Sequence, residues 1–132
     1  METKSNTKIL IVEDDELNIR MVSSFLRDKY DIDAARSGEE ALKKAIDNKY
    51  DIFLMDIGLK KEMNGLEVTN RLRKMSEYKN VPIIALTAYA LSGDRERILN
   101  AGCSHYLSKP FSKNQLLNLL EKIVNQQDSN EK

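Results

Sequence analysis

Four short apolar runs in this chain each end in a polar side chain able to do chemistry. Glu13 and Asp14 follow Ile9-Leu10-Ile11-Val12, and Asp56 follows Ile52-Phe53-Leu54-Met55. Thr87 follows Ile83-Ile84-Ala85-Leu86, and Lys109 with Pro110 follows His105-Tyr106-Leu107-Ser108. If those runs are neighbouring parallel strands, their carboxyl ends open onto one crevice. It would then hold three carboxylates, a hydroxyl and an ammonium. Crowded carboxylates repel one another, and a hard divalent cation relieves the repulsion. Glu13 and Asp14 therefore read as metal-site acids for Mg2+, with Mn2+ as the alternative ion. Asp56 reads as a third ligand that can also act as nucleophile toward phosphorus, as carboxylates do. The Thr87 hydroxyl, before the small Ala88, is placed to donate to a phosphoryl oxygen. The Lys109 ammonium offsets the acids and can pair with the same group. Asp15 and Glu16 suit the cap and first turn of a helix.

The elements that would position these residues alternate regularly. Strand patterns cover Lys8 to Glu13, Asp31 to Ala35, Asp51 to Met55, Val81 to Leu86 and Ser104 to Ser108. Between and after them lie five helix-period stretches. The first is capped by Asp15 and is expected to face inward with Asn18, Met21, Val22, Phe25 and Leu26. The second opens on a capping box, Ser37 to Glu40, with Ala41, Leu42, Ala45 and Ile46 inward. Asn64 caps the third, with Val68, Leu72 and Met75 inward. Ser92 caps a short fourth, anchored by Ile98 and Leu99 and stopped at Gly102. Ser112 caps the last, with Leu116, Leu119, Leu120, Ile123 and Val124 inward and Leu117 on the surface. Strict alternation of this kind predicts an α/β fold, a flavodoxin-like doubly wound (βα)5 domain. In the order 2-1-3-4-5, the crevice falls between the first and third strands, where the acids are.

The remaining features set bounds. With 132 residues, the chain reads as one domain over 8–125, a polar leader over 1–7 and a polar tail over 126–132. Its 21 basic and 21 acidic residues cancel, which argues against nucleic acid or an acidic membrane as partner. A single cysteine, Cys103, excludes an internal disulfide and fits a reduced cytoplasmic setting. No apolar run reaches membrane-spanning length. One histidine, His105, makes no metal site.

Val12-Glu13-Asp14-Asp15, Met55-Asp56, Asn64-Gly65, Leu86-Thr87-Ala88 and Lys109-Pro110 occur in an order that resembles the receiver domains of two-component response regulators. The likeness runs from about Lys8 to about Val124. It implies Mg2+-dependent transfer of a phosphoryl group from a histidine to Asp56. It also implies a metal contact from the backbone carbonyl of Gly58, a cis bond between Lys109 and Pro110, and a Tyr106 ring that turns inward on activation. The partners implied are a sensor or hybrid histidine kinase, or a histidine phosphotransfer protein. The segment from Thr87 to Cys103 is similar to receivers of hybrid kinases and of stand-alone phosphorelay regulators. Tyr106 borders the face made by the fourth helix, fifth strand and fifth helix, which is expected to carry the output. Tyr89 is expected to cover the site and, with Gly58, to slow phosphoryl loss. Stand-alone operation is expected, as a monomer or a weak phosphorylation-dependent dimer.

Two features depart from the common pattern. Lys60 stands where a proline is frequent, and the loop from Asp56 to Gly65 is one residue longer, leaving Lys60, Lys61 and Glu62 available to a partner. Two other functions compete. A metal-dependent phosphohydrolase would want a second acid two residues past its nucleophile, where Gly58 stands. A non-phosphorylated interaction module would lack a site group, and none is missing. The chain is therefore expected to be a switch rather than an enzyme, with self-catalysed phosphoryl uptake and slow autodephosphorylation. A flavin site is excluded because Glu13-Asp14-Asp15-Glu16 would repel a phosphate.

Overall fold

The computed structural model describes residues 6–59, 63–88 and 94–130. Five strands, β1 (Lys8–Val12), β2 (Asp31–Ala35), β3 (Ile52–Asp56), β4 (Ile83–Thr87) and β5 (His105–Ser108), form one parallel sheet in the order β2-β1-β3-β4-β5. The helices are α1 (Glu16–Leu26), α2 (Gly38–Asp47), α3 (Gly65–Arg73), α4 (Asp94–Asn100) and α5 (Lys113–Asn130). The expected topology is therefore the observed one. A 3₁₀ turn at Ser76–Tyr78, which the sequence pattern did not announce, carries the chain from α3 toward β4.

The central strands are buried on both faces, which is why their sequences read as continuous apolar runs. Residues along them alternate between two cores. Leu10, Val12, Phe53, Met55, Ile83 and Ala85 face one side, and Ile9, Ile11, Ile52, Leu54, Ile84 and Leu86 the other. Each fully buried aliphatic side chain is worth roughly 1.5–3 kcal/mol, whereas an exposed ion pair is worth about 0–1. The apolar layers therefore hold the strand ends in register, and the polar site is set upon them.

Four expected helix faces need correction. In α1 the inward row is Ile19, Val22 and Leu26, while Met21 is 40% exposed and Asn18 lines a surface crevice. In α2 the row is Gly38, Ala41 and Ala45, so Ile46, one position further round the helix, is 70% exposed. The small residues are needed there: a Cβ on Gly38 would come within 2.6 Å of Val68 on α3. In α4, Ile98 is buried and Leu99 faces out. In α5, Leu117 is buried beside Leu116, and the helix continues to Asn130, inside the stretch read as a tail.

The caps follow the sequence. Asp15, Ser37 and Asn64 accept backbone N–H groups of Leu17, Glu40 and Glu67. Gly102 ends α4 with φ of 116°; its N–H donates to Leu99 and the Cys103 N–H to Ile98. That left-handed turn suits glycine and satisfies the last carbonyls. Ser92, Tyr89, Lys60, Lys61 and Glu62 lie outside the described residues. Among the described residues, no helix is long and apolar enough to cross a membrane.

Candidate functional site at the carboxyl end of the sheet

The ladder itself assembles the site. Val12 lies opposite Met55, Asp56 opposite Leu86, and Thr87 opposite Ser108. The residues at or just past those positions thus share one edge. The Lys109 N–H donates to the Thr87 carbonyl at 2.8 Å, which carries the pairing of β4 and β5 up to the lysine. The peptide bond from Lys109 to Pro110 is cis.

Glu13, Asp14 and Asp56 each offer a carboxylate oxygen within 4.8 Å of the others. Glu13 and Asp56 are buried, and Asp14 is half-buried. Lys109 Nζ lies 3.0 Å from Asp56 Oδ1 and 3.9 Å from Glu13 Oε1. The same Asp56 oxygen accepts the Gly58 N–H at 3.0 Å. Glu13 Oε2 accepts the Asp15 N–H at 3.1 Å, which ties the acid to the start of α1. A crevice of about 370 Å³ opens over these groups, and Thr87, Ala88 and Gly58 also line it. Thr87 is buried, whereas Ala88 and Gly58 are exposed.

One ammonium does not neutralise three neighbouring carboxylates. Burial, opposed by the Asp15 amide and reinforced by the Asp56 carboxylate, pushes Glu13 up to about 7. The donor set is all oxygen and carries excess negative charge, which fits Mg2+ far better than a soft metal.

A pH dependence follows. The folded-state pKa of Glu13 is above its unfolded value, so the folded chain holds an extra proton between about pH 4.5 and about 7. Stability of the metal-free chain should therefore fall as pH rises through that window. Urea unfolding without divalent ions should show this slope, and Glu13→Gln should flatten it. Mg2+ affinity should move the opposite way, weakening below about pH 7 as the proton competes for Glu13.

The site contains three groups that the sequence reading missed. Gly65, the first residue of α3, sits against the Asp56 backbone so closely that a Cβ there would collide with the Asp56 carbonyl oxygen. Asn64-Gly65 opens α3, and its second member is also a packing contact under the site. Arg97 and Asp94 of α4 line the same crevice as the three clustered acids. No periodic signal places them there, because α4 is short and has one buried apolar residue, Ile98.

Tyr106 is half-buried in β5, opposite Ala85, and packs against the core. The Arg95 guanidinium of α4 lies over its ring, 5.4 Å from the centroid. Cys103 is buried beside Thr69, and burial raises its thiol pKa, so it has the character of an inert core residue.

A parallel sheet ordered in this way, with clustered acids at its switch point and a lysine just past the last strand, defines a flavodoxin-like domain with a charged crevice at its carboxyl edge. The chain belongs to the response regulator receiver domain family, whose model matches residues 9–121. It is 45% identical over 105 residues to the polar-differentiation response regulator DivK of Brucella ovis, covering 79% of this chain and 85% of that one. Among solved structures, it is similar to the chemotaxis response regulator CheY4 of Vibrio cholerae, with a TM-score of 0.83, 32% identity, and coverage of 90% and 99% of the two chains. It is also similar to the receiver domain of the sensor histidine kinase PA1611 from Pseudomonas aeruginosa, which holds a magnesium ion in its active site cleft. That match has a TM-score of 0.82, 38% identity, and coverage of 89% and 97%. Receiver domains are signalling switches rather than conventional enzymes, they bind Mg2+ in an acidic pocket, and they work with histidine kinases or phosphotransfer proteins.

Proposed function

We propose that Asp56 is the phosphoryl acceptor of this domain and that the phosphoryl group comes from a phosphohistidine on a kinase or phosphotransfer protein. The observation that carries this reading is the Asp56 carboxylate, buried between two further acids and Lys109 yet opening onto the crevice. Glu13, Asp14, Asp56 and the carbonyl of Gly58 would hold Mg2+, which when bound supplies positive charge to offset the acids and the incoming phosphoryl oxygens.

The chain's own groups account for the rest. One oxygen of Asp56 attacks phosphorus, the bond from phosphorus to the donor imidazole nitrogen breaks, and an acyl phosphate remains. Lys109 exchanges its contact with the Asp56 carboxylate for one with a phosphoryl oxygen. Thr87 donates its hydroxyl to another, and the small Ala88 leaves the approach open. Movement of Thr87 frees space beside β5, and Tyr106 turns into it. The output face is then the surface of α4, β5 and α5.

Intact-mass analysis after incubation with Mg2+ and a small phosphodonor such as acetyl phosphate should show one phosphoryl adduct. Catalytic turnover of general phosphoesters would instead favour a phosphohydrolase. Thr87→Ala should still accept the group but lose coupling to Tyr106. The ring resonances of Tyr106 should then change on phosphorylation in the native chain and stay fixed in the variant; equal changes in both would break the proposed link.

A further inference from the structure

The crevice over Asp56 is lined by five acids among the described residues, Glu13, Asp14, Asp15, Asp56 and Asp94, and by two cations, Lys109 and Arg97. Lys109 is already engaged with Asp56 and Glu13. Arg97 is held differently. Its Nε meets Asp94 Oδ1, one turn back on α4, at 3.9 Å, beyond hydrogen-bond range, and its side chain is 64% exposed. Such a pair on a helix surface contributes little, so leaving it costs little.

Resting on Asp56 as the acceptor, we propose that Arg97 is a phosphoryl-pairing residue: it leaves Asp94 when Asp56 is modified and donates to the new oxygens from the α4 side of the crevice. An acyl phosphate replaces one carboxylate charge with nearly two and presents several strong acceptors. The guanidinium carries five N–H donors in a planar fork suited to such a group. Lys109 reaches the crevice from the end of β5 and Arg97 reaches it from α4, so the two cations come from different elements. The same short helix carries Arg95, stacked over Tyr106. Recruitment of Arg97 therefore pulls on the element that holds the ring in its present position, and the stack becomes a second readout.

Beryllofluoride with Mg2+, titrated against the full chain and followed by NMR, is the probe. Arg97→Ala should weaken its apparent affinity by about fivefold, and Arg97→Lys should recover part of that loss. Arg71→Ala, which removes the same charge from an exposed ion pair with Glu67 on α3, should leave affinity unchanged. Asp94→Asn should tighten binding more in the native background than when combined with Arg97→Ala. The Tyr106 resonances should respond to beryllofluoride less in Arg97→Ala at saturation. Unchanged affinity in Arg97→Ala, equal weakening in Arg71→Ala, or an Asp94→Asn effect of the same size with and without Arg97 would each overturn the proposal. Failure of the native chain to take up beryllofluoride would instead overturn the assignment of Asp56, and this proposal with it.

Discussion

Asp56→Asn should abolish phosphoryl uptake while leaving a chain more stable than the native one in Mg2+-free buffer. The two effects have one origin. In the native site, Asp56 contributes charge to a cluster in which three carboxylates face one ammonium. The geometry brings acids within 4.8 Å of one another, and Asp56 itself is only 4% exposed. Water therefore screens the repulsion poorly, and Lys109 offsets only part of it. Asparagine keeps the shape, can donate to the remaining acids, and removes one charge. Lys109 keeps Glu13 as a partner at 3.9 Å, so no buried ammonium is orphaned. Removing one of three mutually repelling carboxylates while the ammonium keeps a partner is expected to gain about 1 kcal/mol, on the order of one pKa unit of relieved repulsion. Urea denaturation with and without Mg2+ measures it: the gain should shrink as the ion is added, because Mg2+ relieves the same repulsion in the native chain. Intact-mass analysis after phosphodonor treatment measures the loss, and a persisting adduct would move the acceptor away from Asp56. A loss of adduct in a better-folded protein cannot be ascribed to misfolding.

The sequence carried the sheet and the acids clearly for a physical reason. Strands buried on both faces must be apolar throughout, so β1, β3 and β4 are bounded by the first polar residue past the core. In a doubly wound sheet that residue lies at the crevice. Glu13, Asp56 and Thr87 were legible because core and site meet at those positions. Helix faces were less legible. Met21 beside Val22, Ile46 beside Ala45, and Leu117 beside Leu116 are neighbouring choices 100° apart around a helix, and a period cannot decide between them. Packing distance decides: α2 approaches α3 across Gly38, so the small Ala41 and Ala45 face inward and the larger Ile46 is turned out. Arg97 was illegible for a different reason. Tertiary packing brings it to the crevice, and α4 has too few apolar positions to fix its rotation from sequence.

Gly65 should be the most damaging single-methyl position near the site, and Gly58 one of the mildest, although both border Asp56. A Cβ at Gly58 would meet Asp56 Oδ1 at 3.7 Å, an ordinary contact. Gly58→Ala should therefore change stability by less than about 0.5 kcal/mol. A Cβ at Gly65 would collide with the Asp56 carbonyl oxygen and also lie 3.0 Å from the Asp56 carbonyl carbon and the Ile57 Cα. All three are backbone atoms, so no side-chain rotamer can relieve the overlap. Either the start of α3 lifts away from β3 or the end of β3 is displaced. Overpacking typically costs 1–3 kcal/mol, and a backbone-on-backbone clash belongs at the top of that range, about 3 kcal/mol. The Asn64 side chain caps α3 through the Glu67 N–H at 2.9 Å, so lifting the helix also strains its cap. The displacement reaches the chemistry as well, because Asp56 is both the residue struck and the proposed acceptor. Gly65→Ala should thus lower the urea midpoint strongly and slow phosphoryl uptake in the fraction that remains folded, whereas Gly58→Ala should leave the midpoint in place. Equal midpoints for the two variants would show that α3 does not rest on the Asp56 backbone as described.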